Sequence, residues 1–541
     1  MDRRFILAVL LMMAIAIVPS FFLKSPARPR PATTAPLPGP DTARAAAAPP
    51  VAEAAPAPVV ADEDTVTIET PTHAYLVSTR GGRVVRATMR AFRSTAREDG
   101  GALAQLVPDD GSFLGGTLLA GADTVRLADW GFEASKERTT AENPLVLTAA
   151  RGALAVTMSY TFRADNYALD VRGRIDGLPV TGGVLLVDLG RGIRNTEYDT
   201  AQNAQGSAFV TYRQQAERHD IQRMDAGEAD TLAGPFGWVA VKSRYFAAGL
   251  FAADTARPIA AVRAEALKEP GHEKPRRAAV QASLPVGPDG AFAYTFYLGP
   301  LQYDRLKAMG RDFDDVNPYG WPGFRTVIRF FTVPVRWLLV WMHEHLALAY
   351  GWVVVLFGIL IRVVLWPLNQ KAMRSSMQMQ AVQPLLQEIQ QKYKNDPQRL
   401  QQEQFRLFKE HNVNPLGGCW PMLLPMPVLL ALFVVFQNTI ELRDVPFLWL
   451  PDLSRADPTF IIPVLMGVSM FALTKIGMLG MPPNPQSQIM LWLMPVMFTV
   501  FFFALPSGLN LYYTVTNLAS LPQQWLLARE RLRRSAPKPR G

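Results

Sequence analysis

YGWVVVLFGILIRVVLWPL, residues 350–368, decides how this chain is read. As a helix it is about the length of a bilayer crossing, which takes roughly 20 residues. Trp352 and Trp366 stand near its two ends, as interfacial aromatics do. One charge, Arg362, lies in the middle of its second half. A cation inside a membrane helix costs at least about 2.5 to 3.5 kcal/mol on insertion scales, so something must offset it. Two offsets are open. Either the side chain snorkels to the inner surface, about 9 Å away along the helix, or it faces a hydrated polar site.

Residues 346–368 thus form the second of six expected spans, and the chain beyond them turns polar over 369–415. Met373, Met377, Val382, Leu385, Leu386 and Ile389 keep a helical period. Asp396-Pro397 then offers an N-cap and a first-turn proline to a second helix carrying Leu400, Phe405 and Phe408. This helical hairpin, from Gln370 to His411, holds Lys371, Arg374, Lys392, Lys394, Arg399, Arg406 and Lys409 against Glu388, Asp396, Glu403 and Glu410. That bias places it in the cytoplasm.

Residues 420–528 hold spans three to six, at 420–440, 460–479, 489–505 and 509–527. Pro421, Pro425 and Pro427 make the start of the third irregular, and only Pro506-Ser507-Gly508 joins the last two. The loop 441–459 sets Arg443 and Arg455 against Glu441, Asp444, Asp452 and Asp457 and fits the outside. The basic tail, 529–541, fits the inside.

Upstream, residues 321–345 are amphipathic. Phe324, Val327, Ile328, Phe331, Val335, Leu338 and Met342 share one helical face and Arg325, Arg329 and Arg336 another. This predicts a helix in the membrane interface, kinked at Pro334; a packed helix closing the preceding soluble region is the other reading. Residues 1–23 open with Asp2, Arg3 and Arg4 before an apolar run, an uncleaved signal-anchor with its N-terminus inside. Residues 24–60 are rich in Pro and Ala and predict an extended tether. Both chain ends are then cytoplasmic.

Between lies a large soluble domain, 61–315, with period-two patterning. Val85, Ala87, Met89 and Ala91 alternate with Arg86, Thr88 and Arg90, and Val156, Met158, Tyr160 and Phe162 with small polar residues. After Asp165-Asn166 come Tyr167, Leu169 and Val171; Phe292, Tyr294 and Phe296 form another run. Such strands predict a large antiparallel β-sandwich. The fold class is therefore multi-domain, an α-helical polytopic membrane bundle joined to a β-sandwich.

The chain has 541 residues, a formal net charge of +9 and one cysteine, Cys419, so no intramolecular disulfide forms. The basic residues gather beside the apolar blocks rather than among exposed aromatics, which argues against a nucleic acid substrate. His73, His219 and His272 are isolated and read as surface residues. His343-Glu344-His345 is no metal motif, since positions two apart point to different helix faces. No phosphate-cradling loop, nucleophile triad or metal cluster stands out, so neither enzyme activity nor a cofactor is expected.

In the C-terminal half, Asn414-Pro415-Leu416-Gly417-Gly418-Cys419, Glu441-Leu442-Arg443, Ile462-Pro463-Val464-Leu465-Met466-Gly467 and Pro506-Ser507-Gly508-Leu509 follow in order, then Leu511-Tyr512-Tyr513 and Asn517. This series closely resembles the YidC family of membrane protein insertases of Gram-negative inner membranes. Gly237-Trp238-Val239-Ala240 and Arg244-Tyr245-Phe246 resemble that family's periplasmic domain, a β-supersandwich.

The resemblance implies a core of five helices around a hydrophilic groove, open to the cytoplasm and the lipid and closed outside. Arg362 matches the family's groove cation, with Tyr512 and Tyr513 lining the groove or sitting in the interface belt. Met426, Pro427, Val496 and Phe501 match positions that contact nascent helices, although apolar residues in spans also pack or face lipid. Pro425 stands where some relatives carry glutamine, a departure that bears on the polarity of that helix. The implied function is insertion and folding of nascent membrane proteins in the inner membrane, alone or beside the Sec translocon. The implied partners are nascent chains, the ribosome, the Sec translocon and membrane lipid. The alternative classes are a solute transporter or channel, and an anchored β-sandwich enzyme acting on carbohydrate.

Overall fold

The computed structural model describes residues 64–535, apart from 122, 141–142, 165, 179–181, 318–324, 395, 412–425 and 481–484. The expected anchor (1–23), the linker (24–60), Phe324, Pro421 and Pro425 lie outside the described residues.

From Thr65–Glu69 to Ala291–Pro300 the chain forms strands in sheets of five, nine and six. In Leu154–Phe162 the side chains of Val156, Met158, Tyr160 and Phe162 are buried while Thr157 and Thr161 face out. Phe246–Ala252, in the nine-stranded sheet, is buried at every position because both its faces are covered. All three sheets feed one apolar core, with Val66 and Val84 from the first, Tyr160, Trp238 and Phe296 from the second, and Leu118 and Val187 from the third. Helix α1 (Thr200–Gly206) is capped by Asp199, whose carboxylate accepts from Gln202 N–H at 2.9 Å. Helix α2 (Tyr303–Ala308) closes the domain, and Phe313 and Val316 just beyond it join the core.

Two details of the strand reading change. The ladder between His73–Ser78 and Val84–Arg93 shifts register at Leu76 and Val77, so Val84 rather than Val85 is the buried residue; Ala91, which is exposed, falls in a second irregularity, between Thr88 and Arg93, in the pairing with Leu103–Gln105. His73 is fully buried rather than on the surface. It stacks on Tyr75 at 4.6 Å, and burial pushes its imidazole pKa down to about 3.

Nine helices are described after residue 324. They are α3 (Arg325–Leu346), α4 (Tyr350–Val364), α5 (Trp366–Ala381), α6 (Gln383–Lys392), α7 (Pro397–Glu410), α8 (Met426–Asn438), α9 (Ile461–Gly477), α10 (Pro485–Phe502) and α11 (Ser507–Ser535). α3 packs on α8, α4 on α11, α11 on α9 and α9 on α10. Asp396 caps α7, its carboxylate accepting from Arg399 N–H at 3.1 Å. Val382, just before α6, packs with Leu386 and Ile389 of α6 against Leu407 and Phe408 of α7, whereas Phe405 is exposed.

Among the described residues no helix is long and apolar enough to cross a membrane. The expected 346–368 span is represented by α4, which has 15 residues. That length is about 22 Å, against about 30 Å of hydrocarbon. Pro367 supplies the reason. It has no N–H to donate and its ring crowds the carbonyl four residues back, so the chain turns at Leu365 before α5 resumes.

The faces of α3 also differ from the sequence reading. Ile328, Thr332, Val335, Arg336, Leu339 and Met342 are buried, while Val327, Phe330, Trp337 and Trp341 are exposed. Arg336 turns inward because Glu441 and Asp304 wait there, at 3.1 and 2.9 Å. Arg329 meets Asp314 and Asp315, both at 2.6 Å. The arginine face of α3 is thus a docking face, and its aromatic face is bare.

Candidate functional site

Arg362 lies in the last turn of α4, where that helix packs on α11. Its Nη2 donates to Gln523 Oε1 at 3.3 Å, and Gln523 Nε2 donates to the Trp366 carbonyl at 3.2 Å. The Nε of Arg362 is buried with no partner among the described residues, and no carboxylate there pairs with it. Asn369, buried two residues beyond Pro367, has an Nδ2 with no partner among the described residues. Along α11, Tyr512, Thr516, Ser520 and Gln523 share one helical face. The hydroxyls of Thr516 and Ser520 donate back to carbonyls of their own helix, so they line the seam without neutralising the guanidinium. The result is a polar seam holding one cation whose hydrogen-bonding capacity is mostly unspent.

Above this seam the helices close. The Tyr512 and Phe357 rings meet at 6.0 Å, and Tyr513 packs edge-on to Phe502 at 5.0 Å. Gly351 lets the Phe447 ring of the loop after α8 lie against α4, where a Cβ would run into it. Ser507 N–H and Gly508 N–H donate to the carbonyls of Arg455 and Leu453, at 2.6 and 2.9 Å. The 506–508 turn is thereby tied to the same loop.

The expected site residues are only partly gathered. Arg362 and Tyr512 share the α4–α11 seam, and Tyr513 sits beside it against α10. Met426 and Pro427 begin α8, which packs on α3. Val496 and Phe501 are exposed on α10. The hairpin from Gln370 to His411 contains α5, α6 and α7. Gln523 and Asn369 escaped the sequence reading; a glutamine inside an apolar run, eleven residues after Tyr512, was the available signal.

A second constellation joins the β-domain to the helices. Arg443 Nε lies 2.9 and 3.0 Å from the carboxylate oxygens of Glu197, and its Nη2 donates to the Thr196 carbonyl at 3.1 Å. The Tyr245 and Phe246 rings flank the same guanidinium at 5.9 and 5.6 Å. Arg244 donates to Gln202 Oε1 and to the carbonyls of Gln437 and Ser454, at 2.6, 3.2 and 3.3 Å. Asn317 Nδ2 donates to the Asn438 carbonyl at 3.3 Å, and Asn317 Oδ1 accepts from Lys242 Nζ at 3.0 Å. Burial holds the Lys242 ammonium well below the usual lysine range. The last carbonyls of α8, which have no partner inside the helix, are therefore capped from the β-domain. Ile440 enters the β-domain core while Leu442, two residues on, enters the helical core.

A family profile described as YidC periplasmic domain matches residues 65–338, and one described as 60Kd inner membrane protein matches residues 341–534. The chain belongs to the YidC family. The membrane protein insertase YidC of Chlorobaculum tepidum is 32% identical over 416 residues, covering 72% of this chain and 68% of the relative. That of Oleidesulfovibrio alaskensis is 30% identical over 480 residues and covers 86% of each. A crystal structure of an active YidC insertase is 18% identical, with a TM-score of 0.35, and covers 86% of this chain and 93% of the other. Within this YidC-family chain, the Glu441-Leu442-Arg443 and Arg244-Tyr245-Phe246 strings meet each other at the joint. Among the described residues no group of three or more His, Cys, Asp or Glu could hold a metal. His343 stacks on Tyr350 and His345 on Trp341, so those two imidazoles diverge.

Proposed function

We propose that this chain inserts nascent membrane proteins into the inner membrane through the polar seam between α4 and α11. It works alone or beside the Sec translocon and receives chains from the ribosome. Its relatives carry the name membrane protein insertase. The observation that carries the seam's role is Arg362, a partly buried cation bonded to one neutral amide and facing no carboxylate among the described residues. A guanidinium so placed attracts an acidic segment of an incoming chain and offers it bidentate hydrogen bonds. No bond is made or broken in this work. The driving force is burial of the substrate helix, at about 25 cal/mol per Å² of apolar area.

In this reading six spans cross the membrane with both termini in the cytoplasm, and five of them form the core. The β-domain is periplasmic, α3 lies in the interface on its bare aromatic face, and the 370–411 hairpin receives substrate. Met426, Pro427, Val496 and Phe501 touch the nascent helix as it leaves the seam, and Tyr512 and Tyr513 line its outer end. None of the relatives above is named a transporter or channel. The test is insertion of a small single-span substrate into vesicles holding the purified protein, with an acidic or a neutralised translocated tail. Arg362→Lys should insert both nearly normally, and Arg362→Ala should fail most with the acidic tail. Full activity of Arg362→Ala on both substrates would refute the role given to the seam.

A further inference from the structure

α9 and α10 cross closely at Gly467, whose missing side chain makes room for Thr499. Along that contact the two helices line an open cleft of about 320 Å³, near the lower end of small-ligand pockets. Its walls are Val464, Val468 and Phe471 on α9 and Trp492, Val496 and Val500 on α10. The Thr499 hydroxyl in the cleft donates to the Pro495 carbonyl at 2.7 Å, so the cleft presents no free hydrogen-bonding group. Trp492, Val496 and Val500 are each at least 60% exposed. The cleft therefore opens outward, away from the α4–α11 seam.

One end of the cleft has a definite chemistry. Phe471 and Trp492 meet there at 4.7 Å, and Lys475 stands one turn further on, its Nζ 5.8 Å from the Phe471 ring. Lys475 is exposed and has no carboxylate partner among the described residues. It lies on the end of α9 that the topology turns to the cytoplasm. An apolar cleft ending in an aromatic pair and then a free ammonium matches an acyl chain, its interfacial ester region and a phosphate.

We infer that the α9–α10 cleft binds an anionic phospholipid of the cytoplasmic leaflet, with one acyl chain against Val468 and Val496 and the head-group phosphate at Lys475. The inference rests on the reading of α9 and α10 as membrane-crossing. Val496 is also among the proposed substrate contacts, so the acyl chain must leave before a nascent helix touches that residue.

The experiment uses the full chain in phosphatidylcholine vesicles doped with phosphatidylglycerol brominated in its acyl chains, or with equally brominated phosphatidylcholine. Bromine quenches nearby tryptophan, and the Trp492 share of the fluorescence is the wild type minus Trp492→Phe. Brominated phosphatidylglycerol should quench that share with about a fivefold preference, the worth of one basic residue near an anionic head group. Lys475→Gln should abolish the preference and Lys475→Arg should keep it. Equal quenching by both lipids overturns the inference and leaves the span reading standing. Quenching by neither overturns both. A preference that survives Lys475→Gln also overturns the inference, since the recognition would lie elsewhere.

Discussion

Arg443 and Glu197 stand 246 residues apart in sequence and form a nearly sealed ion pair, 2% and 8% exposed, between the β-domain and the loop after α8. A buried pair is weak evidence of net stabilisation, because desolvating both charges cancels much of their attraction. It is strong evidence of interdependence, because either charge left alone is costly. Glu197→Ala should therefore destabilise the chain by about 3 to 5 kcal/mol, while Glu197→Leu combined with Arg443→Met should come close to neutral. Thermal unfolding of the three proteins in one detergent decides it. Equal losses in the single and double variants would show that packing, not charge, holds the joint.

His73 supplies a pH dependence outside the helices. Its folded pKa of about 3 lies below the ordinary 6.5 because burial disfavours the imidazolium. The unfolded chain therefore binds the proton first as pH falls. Stability is intact above about 6.5 and is lost at roughly 1.4 kcal/mol per pH unit as pH falls from there toward 3. His73→Phe retains a ring for Tyr75 to stack on and removes the titration. Melting curves at several pH values between 6.5 and 4 should fall more steeply for the wild type than for this variant. Parallel slopes would mean that His73 accepts its proton without unfolding.

How far the sequence could be read depends on the kind of pattern. Alternation in Leu154–Phe162 and Ala291–Pro300 was legible because burial on one face of a strand repeats every two residues. Val85 was grouped with the inward set in place of Val84 because a single bulge shifts that period by one. Arg362 was legible as an anomaly, a charge among apolar neighbours. Its partner Gln523 was not, since the pairing spans 161 residues and a glutamine in an apolar run does not say what it meets. The joint was half visible. Glu441-Leu442-Arg443 and Arg244-Tyr245-Phe246 stood out as family strings, but nothing in a single sequence states that one packs on the other. Arg336 shows the same limit, because periodicity assigns an arginine to a polar face without saying whether that face meets water or an acid.

Gly351 and Phe447 give a test of how the loop after α8 closes on α4. The Phe447 ring occupies the space a side chain at position 351 would take, and Gly351 is buried. Gly351→Ala should cost about 1 to 3 kcal/mol, as overpacking usually does. Phe447→Ala should cost a comparable amount by leaving a cavity. The double variant should lose clearly less than the sum, because the small side chain then fills the space the ring vacates. Strict additivity in thermal unfolding would mean that the two residues do not touch in solution.

Gln523 offers the sharpest test of the seam. The role proposed for Arg362, binding an acidic substrate segment, requires that the protein withhold a carboxylate of its own, and its partner is a neutral amide at 3.3 Å. Gln523→Glu keeps the shape of that side chain and installs the missing charge within reach of the guanidinium. The variant should fold at least as well as the wild type, since it offsets a partly buried cation. It should nevertheless insert acidic-tailed substrate as poorly as Arg362→Ala, because the cation is already satisfied. Gln523→Leu separates charge from polarity, as it removes the amide and leaves Arg362 free for substrate. Insertion of the acidic tail should then survive better in Gln523→Leu than in Gln523→Glu. A snorkelling arginine predicts the opposite order, with the glutamate harmless and the leucine the more disruptive change. Measuring melting temperature and insertion on the same vesicles keeps a folding defect from passing as a loss of function.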